Sequence, residues 1–342
     1  MNDVRSILVY VGGDRVGDAL MKLPFVEALR AAWPDARLTW LCGYDRSAFG
    51  GVLADVAAGL IDEIIDDAKV PQQWSERFKP WPEPERLFGP GPYDLIIDTQ
   101  RQARVTLNLK RLPHRRFIAG SVGFLFSDVK PPAGYRKPAM LSLQILNLAR
   151  LAAGQPVDAS APLPPAVTPP DEQVAAARKW LPEGETWVGI VPGAGGAEKR
   201  WPMDRITGLA NSLAARGLRP VFVMGPEEAG IADDLRAAAP GALLPTSAEP
   251  AYSDLPSFVM ALGQRLTAAV AADCGIGHML AAAHTPMVSL FGPTPPTKFA
   301  PLTPRLEILK AQDFGSSAMD AIPLEVVEDA LLRLIDTKDA TT

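Results

Sequence analysis

Cysteine is nearly missing: Cys42 and Cys274 are the only two in 342 residues. Two widely spaced cysteines build no disulfide framework, and their scarcity points to a reducing compartment. Histidine is almost as rare, with three residues. No apolar run reaches the roughly 18 residues that a membrane span needs. The N-terminal MNDVRSILVYVGGDRVGD has one short apolar run and then charges, without the long apolar core and small-residue cleavage site of a secretory signal. Positive charge is not in excess either: 34 Lys and Arg stand against 39 Asp and Glu, a formal charge of −5. Nucleic acid is therefore not an expected partner, since it calls for a basic face. A cytoplasmic protein is expected.

What is present is globular composition, 47% hydrophobic and 21% charged, in a chain long enough for two domains of about 150 residues. The first third alternates strand and helix signals. SILVYV (6–11) is an apolar run, followed by a Gly-rich turn and by Leu20, Leu23, Phe25, Ala28 and Leu29 at helical spacing, ending near Trp33-Pro34. RLTWLC (37–42) and YDLIIDTQ (93–100) read as strands, and 69–92, rich in Pro and charge, as an irregular excursion. GQPVDASAPLPPAVTPPDE (154–172) has linker composition. Beyond it come a strand at WVGIVPG (187–193), a helix over 202–216 and a strand at PVFVMG (220–225). Helices at about 227–239 and 255–265 precede strand 266–273. A short helix at 277–284, strand MVSLFG (287–292) and an amphipathic helix over about 324–336 close the chain.

Two successive β/α halves predict two parallel, doubly wound sheets whose ligands bind at the carboxyl ends of the strands, in a cleft between the domains. The predicted boundaries are 1–158, a linker at 159–172, a second domain at 173–322 and a C-terminal helix at 323–342.

Three strand-to-helix loops carry the candidate chemistry. VGGDRVGDALMKLP (11–24) fits neither the GxGxxG nor the GxxxxGK[ST] phosphate pattern, and leaves Gly17 and Asp18 at a helix start. Asp18 is there either a first-turn acid that stabilises the helix or a general base. PGAGGAEKRWP (192–202) offers small residues, Lys199 and Arg200 ahead of a helix, suited to an anionic group. The third loop, AADCGIGHMLAAAHTP (271–286), places Asp273, Cys274, His278 and His284 close together. It could hold a metal, pair a nucleophilic cysteine with histidine, or present a helix start to an anion. A basic run, Arg101, Arg104, Lys110, Arg111, Arg115 and Arg116 with His114, contains no acid. It reads either as a solvated face or as a dock for an anionic acceptor.

Together, Gly17-Asp18, Lys199-Arg200-Trp201-Pro202, Gly225-Pro226-Glu227-Glu228, and Asp273-Cys274-Gly275-Ile276-Gly277-His278 leading to Leu290-Phe291-Gly292-Pro293-Thr294 resemble glycosyltransferase family 9, the ADP-heptose:lipopolysaccharide heptosyltransferases. The resemblance spans about residues 6–300. It implies a GT-B fold, with acceptor in the first Rossmann-like domain, nucleotide-sugar in the second and the final helix crossing back to the first. It implies an inverting, metal-independent transfer of a heptose or related sugar, from an ADP-linked donor, to a lipopolysaccharide-type or other glycoconjugate acceptor. No cofactor is implied, and no DxD-like metal motif is present.

Carried over by motif, Asp18 is the implied general base and Lys199 the neutraliser of the leaving diphosphate. Gly193, Gly195, Arg200, Asp273, Cys274, Gly275, Gly277, His278 and Thr294 are implied at the donor, with Glu228 or Glu227 on the ribose. Gly17, Arg101 and Arg104 are assigned to the acceptor. The chain departs from the family pattern at Ala194-Gly195-Gly196, where hydroxyls are usual, at Cys274, where Ser or Thr is usual, and at Ile276, where Pro is usual. Two other readings of the same architecture are a sugar-nucleotide epimerase and a catalytically silent nucleotide-binding or scaffolding protein. Peripheral contact with the inner membrane is assigned to the basic run and the aromatic stretch Phe117–Phe126.

Overall fold

A computed structural model describes residues 4–71, 75, 92–157, 163, 165–248 and 256–339. Most of the 69–92 excursion and part of the 159–172 linker therefore lie outside the described residues. The chain divides into two compact units, Met1–Pro162 and Leu163–Thr342, a division that falls inside the predicted linker.

The first unit is a five-stranded parallel sheet of order β3-β2-β1-β4-β5. Its strands are β1 (Ser6–Val11), β2 (Arg37–Cys42), β3 (Glu63–Ile65), β4 (Tyr93–Asp98) and β5 (His114–Ala119). SILVYV is apolar without alternation because helices cover both faces of a parallel sheet, and Ile7 through Val11 are all buried. Helix α1 (Val16–Ala32) follows β1 and packs along α3 (Leu141–Ala152), while α2 (Ala103–Leu109) follows β4. The apolar spacing of α1 continues until Trp33, whose N–H closes on the Leu29 carbonyl at 3.0 Å just ahead of Pro34.

The second unit repeats the scheme with β6 (Trp187–Ile190), β7 (Arg219–Phe222), β8 (Ala268–Ala272), β9 (Met287–Phe291) and β10 (Leu306–Lys310) in the order β10-β9-β8-β6-β7. Its helices are α4 (Asp171–Trp180), α5 (Met203–Ala215), α6 (Ala232–Ala238), α7 (Pro256–Gly263), α8 (Gly275–Ala282) and α9 (Leu324–Asp339). The helix expected over 227–239 is a 3-10 turn (Pro226–Ile231) running into α6. In each sheet the strand order reverses beside the unit's first strand, at β1/β4 and at β6/β8. That reversal splays the flanking loops apart and opens a crevice at the carboxyl ends.

Helix α9 buries Val327, Ala330, Leu331 and Ile335 in the second unit's core with Ile206, Leu209 and Leu213. Polar contacts hold it there: Ser212 Oγ and Arg216 Nε donate to Glu328 Oε1 at 2.6 and 2.7 Å. The spacing of its apolar residues fits one stripe against α5, β8 and β9. No described helix is long and apolar enough to cross a membrane.

Candidate functional site

In the second unit the loops after β6 and β8 meet at the sheet's reversal. Lys199 Nζ donates to Asp273 Oδ2 at 2.9 Å, and Thr294 Oγ1 donates to the same oxygen at 2.8 Å. Gly195 lies beneath this group: a Cβ there would sit 3.8 Å from Lys199 Nζ and 3.6 Å from the Asp273 carbonyl. Four residues separated by up to 99 positions in sequence thus share one corner.

Glu227 and Glu228 sit in different settings. Glu227 is exposed, whereas Glu228 turns inward, accepts the Gly225 N–H at 3.0 Å and covers Gly193. A Cβ at Gly193 would lie 2.2 Å from Glu228 Oε1, so this approach requires glycine. Burial pushes the Glu228 carboxyl above its ordinary value, partly offset by the Gly225 hydrogen bond.

Cys274 caps helix α8, its Sγ accepting the Gly277 N–H at 3.4 Å. Here the sulfur stands in for the Ser or Thr oxygen that usually caps a helix. Burial pushes its thiol up to about 12, which favours the protonated form over the reactive thiolate. Gly277 is held closely, with a Cβ there 3.3 Å from the Ala271 Cβ. Gly275 opens α8 and His278 is buried in its first turn. His284 lies near the end of the segment, just past α8, at φ +62°. Among the described residues no three His, Cys, Asp or Glu side chains are placed to hold a metal ion. Arg200 is exposed beside Lys199.

In the first unit Gly17 and Asp18 are the second and third residues of α1. The half-buried Asp18 carboxylate has no hydrogen-bond partner among the described residues. Beneath it lies a group that sequence reasoning missed. Asp14 is buried and receives the Lys22 ammonium, Trp40 Nε1 at 2.9 Å and Ser47 Oγ at 3.3 Å. Lys22 Nζ also reaches the Asp18 carbonyl at 3.3 Å. The available signal was a lysine on the apolar face of α1, between Met21 and Leu23.

Asp98 was also missed. It ends β4, opposite Tyr10 of β1 and Ala119 of β5. Its carboxyl accepts the Gln100 N–H at 2.8 Å and meets Thr106 Oγ1 at 2.6 Å. Burial pushes it up to about 7, against the lowering effect of those bonds. The folded chain thus holds this proton more tightly than the unfolded chain, where a carboxyl titrates near about 3.9. Its stability contribution is fully present below about pH 4 and is lost as pH rises through about 7. Asp98→Asn keeps an acceptor and a donor but does not titrate. Urea unfolding at about pH 5 and about pH 8 is expected to show a smaller decline for the variant; equal declines would remove the assignment.

Arg101 and Gly120, at the carboxyl ends of β4 and β5, line a cavity of about 510 Å³ with Phe124, Tyr135 and Lys137. Gln144 of α3 accepts a hydrogen bond from Arg101 in an adjoining hollow that Thr99 and Gln100 also line. Arg104 is exposed and donates to Gln102 Oε1 at 2.7 Å. The basic run is not one dock, because helix α2 separates its ends. Lys110 pairs with Asp128 at 3.0 Å and Arg115 with Asp94 at 3.3 Å, which leaves Arg101 as the member of the run that lines the cavity.

Comparison with known proteins follows the same lines. The profile of glycosyltransferase family 9 (heptosyltransferase) matches residues 88–320. A 124-residue stretch is 29% identical to lipooligosaccharide heptosyltransferase 2 of Haemophilus influenzae. The match spans about a third of either protein, 36% of each. Among solved structures, a family 9 glycosyl transferase of Veillonella parvula superposes with a TM-score of 0.73 at 20% identity over 98% of each chain. ADP-heptose LPS heptosyltransferase II of E. coli gives 0.67 at 20% identity over 98% of this chain and 99% of that one. An E. coli heptosyltransferase solved with ADP gives 0.65 at 16% identity, over 96% and 99%. At these identities the superpositions establish the GT-B fold of two Rossmann-like domains. The family profile covers well over half of the sequence, including the loops that bring Lys199, Glu228, Asp273 and Thr294 into place, and the chain belongs to glycosyltransferase family 9.

Proposed function

We propose that the protein transfers a heptose or a related sugar from an ADP-linked donor to a lipopolysaccharide-type or other surface glycoconjugate acceptor, with inversion and without a metal ion. The convergence of Lys199 and Thr294 on Asp273 over Gly195 carries this reading. It fixes an ammonium at the reversal point of the second sheet, where a nucleotide-sugar diphosphate is expected. The N–H groups opening α8 and His278 are the further donors to that diphosphate. Glu228, held against Gly193, is assigned to the ribose hydroxyls.

In the first unit Asp18 takes the proton of the acceptor hydroxyl. The hydroxyl oxygen then bonds to the sugar's anomeric carbon as the bond from that carbon to the diphosphate breaks. The departing negative charge is met by Lys199, which does for the diphosphate what a divalent cation does elsewhere. Arg101 and the cavity beside it are assigned to the acceptor. The named relatives support heptose as the sugar and ADP as the carrier: one is an ADP-heptose LPS heptosyltransferase and another was solved with ADP.

A thermal-shift screen of ADP-, UDP- and GDP-sugars in EDTA tests the donor assignment. An ADP-sugar is expected to raise the melting temperature by several degrees, since saturation at about 100 times Kd stabilises by about 2.7 kcal/mol. A shift seen only after adding a divalent cation would overturn metal independence, and a shift for another base would overturn the ADP assignment.

A further inference from the structure

The turn that leaves β5, Ser121–Phe124, has a backbone few sequences adopt. Val122, Gly123 and Phe124 all lie in the left-handed region, at φ +48°, +62° and +66°. That conformation is unfavourable for a β-branched residue and persists only where the surroundings impose it. They do so here. Lys130 Nζ donates to the Phe124 carbonyl and, at 2.9 Å, to that of Leu125. The Phe124 ring packs edge-on against Tyr135 at 5.8 Å. Lys110 Nζ holds the Phe126 carbonyl at 2.8 Å.

The braced turn projects two aliphatic side chains, Val122 at 57% and Leu125 at 63% exposure. Leu125 is the most exposed large apolar residue among those described. Of the three aromatic residues in the Phe117–Phe126 stretch, Phe117 is in the core, Phe124 faces Tyr135 and Phe126 is half-buried. Between residues 117 and 137 the one acid is Asp128, already paired with Lys110, while Lys130, Arg136 and Lys137 are exposed. This surface is basic in a chain of net charge −5.

We infer that the 121–125 turn docks the protein on an anionic lipid bilayer, with Val122 and Leu125 entering the headgroup–acyl boundary and Lys130, Arg136 and Lys137 facing anionic headgroups. A rigid pair of aliphatic side chains amid cations matches that layering, because burial of the apolar tip and attraction to the surface charge act together. Val122 and Phe124 also line the cavity next to Arg101, so docking sets its mouth at headgroup level, where a lipid-borne acceptor presents its sugar. The inference concerns the bilayer alone and does not depend on the identity of the donor.

Flotation of the full chain with phosphatidylglycerol–phosphatidylethanolamine vesicles is the test. The wild-type protein is expected to float with these vesicles, to float poorly with pure phosphatidylcholine, and to be released by about 0.5 M salt. Leu125→Asp, at an exposed site, is expected to bind roughly tenfold more weakly with an unchanged melting temperature. Arg136→Gln with Lys137→Gln is expected to weaken binding to anionic vesicles alone. Wild-type flotation of Leu125→Asp, or failure of the wild-type chain to float with anionic vesicles, would overturn the inference. So would a dimer in sedimentation velocity that Leu125→Asp dissociates, because the turn would then belong to a second copy.

Discussion

Asp18→Asn is expected to lower kcat for sugar transfer by roughly 10²- to 10⁴-fold, the range that a positioned general base supplies, while leaving the donor-induced thermal shift intact. The asparagine is isosteric and retains a hydrogen-bonding side chain in the first turn of α1, so the helix start loses only the favourable placement of a negative charge. That loss is worth about 0.3–1 kcal/mol at an exposed site, a change of a few degrees at most. Asp18 has no partner among the described residues whose loss would disturb the fold. Its assigned donors to the diphosphate lie in the other unit. Activity and stability are thus expected to separate: a large fall in kcat, a small change in melting temperature and an unchanged donor response. An Asn variant that transfers sugar within a few-fold of wild type would remove Asp18 as the base. Asp18 also lies ahead of the stretch matched by the family profile, so this measurement tests the part of the mechanism that the profile does not reach.

Asp14→Ala is expected to destabilise the fold strongly, by about 3–5 kcal/mol. The Asp14 carboxylate is fully shielded from solvent and the Lys22 side chain is 8% exposed. Removing one partner strands the other charge in a poorly solvated setting. Trp40 Nε1 and Ser47 Oγ lose their acceptor in the same substitution. Because the melting temperature of a domain of this size moves by about 2–4 °C per kcal/mol, a fall on the order of 10 °C is expected. Adding Lys22→Met to Asp14→Ala is expected to recover most of the loss, since an apolar side chain fits the buried face of α1 without a counter-ion. Urea denaturation of the two single variants and the double variant closes a thermodynamic cycle. A destabilisation below about 1 kcal/mol for Asp14→Ala would show that the pair carries little of the stability. The pair also ties the β1–α1 loop to the segment after β2, where Asp14 and Ser47 form an isolated bridge. Its loss is therefore expected to loosen the start of α1 that presents Asp18.

The strands were the most legible part of the sequence, because a parallel strand covered on both faces is a short, unbroken apolar run. RLTWLC coincides with β2, and YDLIID with β4. The glycine-bearing loops after β6 and β8 were legible for a related reason. Glycine marks the backbone wherever another group must come close, as Gly193 does for Glu228. What stayed hidden depended on contacts between distant residues. Periodicity revealed the apolar stripe of α9 but not which core it would cover, and Glu328 found Ser212 and Arg216 more than 100 positions away. The basic run looked continuous because sequence does not show that helix α2 divides it. Asp98 looked like an ordinary strand end until its burial between β1 and β5 was visible. The pairing of Asp273 with Lys199 likewise joins residues 74 positions apart.

The inward-facing sulfur at the start of α8 has a practical side. Cys274 is held protonated by burial. Burial and the neighbouring Asp14 and Asp66 carboxylates push the Cys42 thiol up as well. The thiolate is the form that attacks an alkylating reagent, so both native cysteines are expected to react slowly with a maleimide at neutral pH. A single cysteine introduced on the surface is expected to take the dye well ahead of either native one, which mass spectrometry of the labelled chain checks.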